Sequence, residues 1–439
     1  MSSGPPQSIP DWAPLTLVLV LAPLAYALTG FWARPVQLER QASLGTRHEP
    51  GHLVFAREEL EALDPYPTIT NVQIADCDDD GQPEVLACDP LIEGVVGYFT
   101  RPDGSRERRV LVRDLGGPPA HVTTADVDLD GDTDLVVSML GNLFPDDGRL
   151  GSVLVLERDG AEYRRHEVLA GVRRVADARV GDLDGDGDMD LAVAVFGYAH
   201  GQVLWLENRG GFAFEPHELL SAPGTIHVPI ADFDGDGDLD IAAVVTQNEE
   251  EVWGFENDGR GRFERRLLHF TINFDIGGAG LVADDLDSDG DVDLVLPVGD
   301  NLEQRYCYPQ TYHGCLWLEN RGGWEFEPHR IAELGGCYAA ATGDLDGDGD
   351  RDVVLVSMYN DWTLPEASSA VWLENDGAAG FRTWRLATDP IHLITVGCGD
   401  LDGDGRDEVV AGGHHIMEPY DRLGGVTLWS TSSEPASQR

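Results

Sequence analysis

The chain has 439 residues, with 79 Asp+Glu against 30 Lys+Arg for a formal net charge of −49, and 42% of its residues are hydrophobic. That length exceeds a typical single domain unless the domain is a repeat or a closed ring, and the apolar share is enough to bury a core. The charge makes nucleic acid and anionic lipid poor partners for the folded surface and makes cations the natural ones.

In chain order, a tail at 1–12 precedes an uncharged run at 13–32, APLTLVLVLAPLAYALTGFW. A helix of that length crosses about 30 Å of hydrocarbon. Trp12, Phe31 and Trp32 stand at its ends, as in interfacial aromatic belts. The run reads as a transmembrane anchor or as a signal segment cleaved after Ala25-Tyr26-Ala27. Asp11 and the lack of Arg or Lys ahead of it favour the anchor. Arg34, Arg40 and Arg47 follow the span, a bias that long translocated domains override. Either reading exports the rest of the chain, so an extracytoplasmic location is expected, membrane-anchored or secreted. A linker at 33–50 leads to a repeat region at 51–432, and 433–439 is a tail. Six cysteines form no CxxC pair; Cys307 and Cys315 are close enough in sequence to staple a loop.

The repeat is the dominant signal. Acidic clusters begin at Asp76, Asp126, Asp182, Asp232, Asp285, Asp344 and Asp400. Each follows a short alternating stretch such as HVTTAD and precedes an apolar run such as DLVVSML. Then come a variable loop, an aromatic-aliphatic run such as QVLWLEN, a Gly/Asn/Asp turn and a further run such as FEPHELL. Runs of four to seven residues rich in Val, Leu, Ile and Trp and bounded by turn residues read as strands. Seven units of four strands, each too small to bury both faces alone, predict an all-β, seven-bladed β-propeller, and one expected to be monomeric. A β-solenoid is the competing architecture, with usually shorter repeats and a need for caps. The last unit lacks a fourth strand, while an orphan strand at 51–60 precedes the first. Pairing of 51–60 with 426–432 would close the ring and remove exposed sheet edges.

Every cluster fits D-x-D-x-D-G-x-x-[DE]. Alternate residues of a tight turn can aim carboxylates at one point, the glycine permits the turn, and a hard divalent cation such as Ca²⁺ takes six to eight such oxygens. The last acid stands at position nine rather than twelve and the flanks are strands, which separates these loops from EF-hands. On these motifs the chain resembles the FG-GAP/VCBS repeat family, whose best-known members are the integrin α-chain propellers. The resemblance spans roughly 52–432, although the Phe-Gly and Gly-Ala-Pro signatures are largely missing. It implies about one Ca²⁺ per blade. The ligands it implies are Asp76, Asp78, Asp80 and Glu84; Asp126, Asp128, Asp130 and Asp134; Asp182, Asp184, Asp186 and Asp190; and Asp232, Asp234, Asp236 and Asp240. The remaining sets are Asp285, Asp287, Asp289 and Asp293; Asp344, Asp346, Asp348 and Asp352; and Asp400, Asp402, Asp404 and Glu408. Gln82-Pro83 in the first loop and Arg406 in the last mark those two as the atypical sets.

If the acidic loops join the first and second strands, they share one face, and the loops joining strands two and three crowd the other. Five residues before the acidic loop, successive units carry His121, Asp177 and His227, where others carry Asn71, Gly280, Ala339 and Thr395. The second-face loops add His200, Glu249–Glu251, Asp300, Asn301, Arg305, Tyr306, His313, residues 358–362, His414 and His415. Three readings follow. The residues are unconnected surface groups; or they form a binding face in which Tyr306, Tyr359 and Trp362 stack on a sugar or grip a protein; or they form an active site in which His121, Asp177 and His227 hold a transition metal, as in a carbohydrate lyase or dehydratase. A ligand-binding or protein-binding module is the favoured reading and the metal-dependent enzyme the alternative. No nucleophile elbow, phosphate loop, HExxH or Ser-His-Asp spacing is visible.

Overall fold

The strands of each unit are apolar on the faces they turn to the neighbouring units, so the units assemble side by side. In the computed structural model the described residues are 45–431, apart from 61–65, 145, 248, 274–275, 303–306 and 379. The 13–32 segment, the 433–439 tail, Arg305 and Tyr306 lie outside them. Among the described residues there are 28 strands in seven four-stranded antiparallel sheets, and no segment is helical. This is a seven-bladed β-propeller of four-stranded blades.

Blades one to six run consecutively over 71–112, 119–172, 174–221, 230–271, 282–333 and 337–387. Blade seven takes its three inner strands from 393–431, and its outer strand is Phe55–Glu59. That strand lies antiparallel to Val426–Thr431, with Phe55 opposite Thr431 and Glu59 opposite Thr427. The Glu59 carboxylate accepts hydrogen bonds from the Gly425 amide at 2.8 Å and the Thr427 hydroxyl at 2.9 Å. The chain ends thus hold each other without a covalent link.

Second strands are buried along their whole length, as in Asp134–Met139, Asp240–Val245 and Asp352–Ser357. This is why they read as unbroken apolar runs: both faces pack on neighbouring blades. Outer strands such as Glu162–Val172 expose alternate residues. Between each pair of adjacent blades lies an apolar cluster. Val136, Val155, Leu191 and Leu204 join blades two and three, and Leu401, Val410, Val85 and Val96 join blades seven and one. Trp205, Trp317, Trp372 and Trp429 are all buried in this packing.

None of the six cysteines is bonded to another. Cys315 is buried in the interface of blades five and six, while Cys307 approaches the Asn301 carbonyl at 3.7 Å, so the loop staple between them does not form.

Deleting the residues before Gly51 through Leu60 as one block would bare the edge of Val426–Thr431. The expected result is a lower melting temperature together with self-association on size exclusion, because an open strand edge templates pairing. An unchanged melt and elution would mean that the closing strand is dispensable.

Candidate functional site

All seven acidic loops connect a first to a second strand and so lie on one face of the disc. Within each loop the fourth and sixth positions adopt left-handed backbone, for example Gly185 at φ 72° with Gly187 at 94°, and Leu129 at 61° with Gly131 at 97°. Glycine holds the sixth position throughout; the fourth is taken by Asp79, Leu129 and Ser288 in three loops. A non-glycine residue in that conformation is strained by roughly 1–2 kcal/mol. The turn is therefore imposed by the acids around it. In every loop but the first, both oxygens of the first aspartate accept loop amides: Asp182 takes Gly185 at 2.8 Å and Gly187 at 3.0 Å, and Asp400 takes Gly403 at 2.7 Å and Gly405 at 3.0 Å.

The loop carboxylates also converge. Oxygens of Asp76, Asp78 and Glu84 lie within 4.8 Å of one another, as do those of Asp126, Asp128 and Asp134. Oδ1 of Asp76 is buried with no hydrogen-bond donor. An all-oxygen donor set with an orphaned carboxylate oxygen fits a hard cation of the Ca²⁺ class. Burial raises the third-position acids Asp128, Asp184 and Asp287, and neighbouring carboxylates add to it. Among those neighbours are Glu157, Glu207 and Glu319, which stand at the ends of the third strands. These glutamates already meet other side chains: Glu207 pairs with Arg209 and lies 2.8 Å from His217, and Glu319 pairs with Arg321 and lies 2.7 Å from His329.

The ninth acid begins the second strand in every blade. One of its oxygens accepts the amide of loop position two, as Asp240 does from Phe233 at 3.0 Å. In blades two to six its other oxygen accepts an amide at the end of the third strand, among them Asn257 for Asp240, Asn320 for Asp293 and Asn375 for Asp352. Burial pushes the Asp240, Asp352, Glu84 and Glu408 carboxyls up to about 7, partly offset by those amides. The same asparagines reach further. Nδ2 of Asn257 donates to the Leu183 carbonyl of the preceding blade's loop at 2.6 Å, Asn320 to Phe233 at 2.8 Å, and Asn375 to Leu286 at 2.7 Å. In blade two Arg158 takes this place and donates to the Cys77 carbonyl at 3.2 Å. Neighbouring loops are thereby tied edge to edge. The available signal is the Asn that follows Glu in EVWGFEN, GCLWLEN and AVWLEN, to which the sequence pattern alone gave no role.

At the ring axis the inner strands enclose a cavity of about 910 Å³, walled by all seven blades and by the loops joining strands two and three. It therefore opens away from the acidic loops. His121 and His227 are on its wall, and they do meet at Asp177. Nδ1 of His121 is 3.4 Å from one Asp177 oxygen, and Nδ1 of His227 is 3.3 Å from the other. Arg179 Nε lies 3.0 and 3.1 Å from the two Asp177 oxygens. Asp177 is fully buried, which by itself would raise its pKa, yet the Arg179 guanidinium and the imidazoles hold it well below the usual carboxylate range. Burial and the Arg179 charge drive His121 down to about 3, so it is a neutral ring. The guanidinium supplies a positive charge beside the buried carboxylate, and each imidazole turns its Nδ1 to one of its oxygens.

The same strand position also has a structural duty. Asp177 accepts the Val228 amide of the next blade at 3.1 Å, as Asn71 accepts Val122 at 3.3 Å and Thr395 accepts Val72 at 3.1 Å. A β-bulge just ahead of it in blades two, three, six and seven re-aims the side chain.

Of the other second-face residues, Asp300 and His414 reach the cavity wall, whereas His200 is exposed and away from it. Glu250 is buried and accepts the Gly278 amide at 3.0 Å; His313 is buried against Asn301 at 2.6 Å. Tyr359, expected to stack on a ligand, is instead buried, its hydroxyl donating to the Gly299 carbonyl at 2.5 Å and accepting the Asn301 amide at 3.0 Å. Trp362 lies under Arg422 at 5.5 Å and against His392.

Asn320→Ala strips the donor from two buried carbonyls, Phe233 and Val292. The expected loss is about 2 kcal/mol in denaturant unfolding, from two bonds of about 1 kcal/mol each. Arg321→Ala, on the exposed turn beside it, should change stability by less than about 1 kcal/mol.

Comparison with known proteins places this geometry. The family model described as FG-GAP-like repeat matches residues 182–243, 232–296 and 344–411. Among solved structures, BBS1N from its complex with ARL6DN, soaked with lead, matches 88% of this chain and 98% of its own with a TM-score of 0.52 at 9% identity. The mercury-soaked crystal of that complex gives 0.51 at 10% identity. The Bacillus licheniformis rhamnogalacturonan lyase matches 89% of this chain and 75% of its own at 15% identity with a TM-score of 0.43. No curated protein sequence matches the chain. At these identities the structural likeness concerns the fold alone, whereas the sequence matches fall on the acidic units themselves: the chain is an FG-GAP-repeat β-propeller.

Proposed function

We propose that this propeller is a calcium-stabilised, extracytoplasmic binding module whose ligand, a small molecule or a segment of a protein or carbohydrate, enters the central cavity. The observation that carries the binding reading is the cavity itself. At about 910 Å³ it lies in the upper part of the usual range for small-molecule sites, about 300–1,000 Å³. Its mouth carries apolar groups that the fold leaves in solvent, Phe144 among them at 68% exposure. The alternative, a metal-dependent carbohydrate-active enzyme working through His121, Asp177 and His227, is less favoured because Arg179 already neutralises Asp177.

Calcium is supported by the convergent carboxylates and the strained turns they enforce. Asp78, Asp128 and their counterparts would hold the ion together with the first and ninth acids of each loop; when bound, it supplies the positive charge that the clusters lack. Such modules bind calcium at about 10⁻⁴–10⁻³ M, which suits an exported protein. The apolar run at 13–32 supports the same location.

Calcium should raise the melting temperature and chelation should lower it. A single site held at a hundredfold excess over its dissociation constant adds about 2.7 kcal/mol. A melt identical in calcium and in chelator would refute the calcium claim. For the cavity, Ala176→Trp places a large ring on the wall without touching the acidic loops. It should abolish the thermal shifts produced by small-molecule hits while leaving the calcium-dependent shift intact; hits that survive it would move the binding site elsewhere.

A further inference from the structure

We infer that the central cavity is a site for a small organic anion, whose carboxylate or phosphate group is held by Arg174 and Arg179 while its apolar body lies against Leu143, Phe144 and Phe196. The inference rests on the binding reading above and names the chemistry of the ligand.

The charge on the wall runs opposite to that of the chain. Acids outnumber Lys+Arg by 79 to 30 overall, yet the described wall residues include two arginines, a single aspartate, Asp300, and no glutamate. Arg174 is the unusual group. Every basic neighbour along its strand has an acid: Arg173 faces Asp147 at 3.9 Å and Arg179 faces Asp177 at 3.0 Å. Arg174 is in no ion pair among the described residues. Its Nη2 donates to the Leu143 carbonyl at 3.4 Å, its guanidinium lies 5.4 Å from the Phe196 ring centroid, and its buried Nε has no acceptor. Burial works against its charge, while Tyr338, Tyr198 and Asp146 act in the opposite sense. A desolvated cation without a counter-charge is costly to fold. In a chain with acids to spare, leaving one on the wall of a large cavity reserves it for an anion from solution.

The geometry supports a forked contact. Arg179 bonds Asp177 through Nε, which leaves both of its Nη nitrogens for another acceptor. Guanidinium groups match the planar oxygens of carboxylates and the oxygens of phosphates, often in pairs. The acidic loops do not cancel this attraction. From Arg174 the acidic loop of its blade begins eight residues on, at Asp182, about 25 Å along an extended strand, whereas Arg179 stands three residues from it. The Debye length at physiological salt is about 8 Å.

The test is a ligand-observed NMR titration of the folded protein in calcium buffer, with benzoate and phenyl phosphate set against the neutral benzamide. Wild type should bind at least one anion about tenfold more tightly than benzamide, a difference of about 1.4 kcal/mol. Whichever anion is preferred separates the carboxylate from the phosphate source. Arg174→Met should bring the preference to parity, Arg174→Lys should keep part of it, and Ala176→Trp should abolish binding of all three. Equal binding of anion and neutral partner, blocked by Ala176→Trp, overturns the anion assignment and leaves the cavity reading standing. A preference that survives Arg174→Met also overturns the assignment. Binding untouched by Ala176→Trp, or none by any probe, overturns the assignment and the cavity reading together.

Discussion

The ninth carboxylate of each acidic loop holds the architecture together. It is the first residue of a strand buried on both faces; it accepts one amide from its own loop and, in blades two to six, another from the end of the third strand. A single side chain therefore sets where the turn stops, where the strand begins and how the third strand lies beside it. The asparagine supplying that second amide spends its side chain on the preceding blade. Around much of the ring, the fit of one blade to the next is read out by a pair of polar groups rather than by apolar packing alone. Because the carboxylate is desolvated, the arrangement tolerates its charge only with compensation, and the convergent acids nearby compound the need. The charge that sets turn and strand is thus the same charge that the proposed cation would offset.

The two faces of the disc have been given different chemistry by the same repeat. On the loop face, identical residues recur at each blade and the site is multiplied. On the other face the repeat has decayed: the position five residues ahead of the loop carries Asn71, His121, Asp177, His227, Gly280, Ala339 and Thr395 in turn. Three of these side chains, from Asn71, Asp177 and Thr395, still perform the shared task of accepting a neighbouring amide. Asp177 has in addition acquired an arginine and two imidazole neighbours. This asymmetry sets one sector of the cavity wall, near blades two to four, apart from an otherwise repetitive ring.

Blade number, strand count and the placement of the acidic loops were legible in the sequence, because a sevenfold repeat makes weak signals add. His121, Asp177 and His227 hold one position in three consecutive blades, which made a meeting open to them, and the fold brings them together. Their chemistry was hidden by Arg179, two residues beyond Asp177 and so on the same face of the same strand. Tyr359 illustrates a different limit. An aromatic in a variable loop looks available for stacking, but its hydroxyl finds the Gly299 carbonyl only once blades five and six are docked. The inter-blade asparagines were in plain view within LWLEN, yet a hydrogen bond across 74 to 89 residues has no local signature.

The pairing of Phe55–Glu59 with Val426–Thr431 has a consequence for biosynthesis. Glu59 leaves the ribosome well over three hundred residues ahead of Thr427, its partner across the sheet. Six blades can assemble in order as they emerge, but the seventh must wait with one strand already made and the others not yet translated. The nascent protein is a gapped crescent until Val426–Thr431 has emerged, and only then can it become a ring.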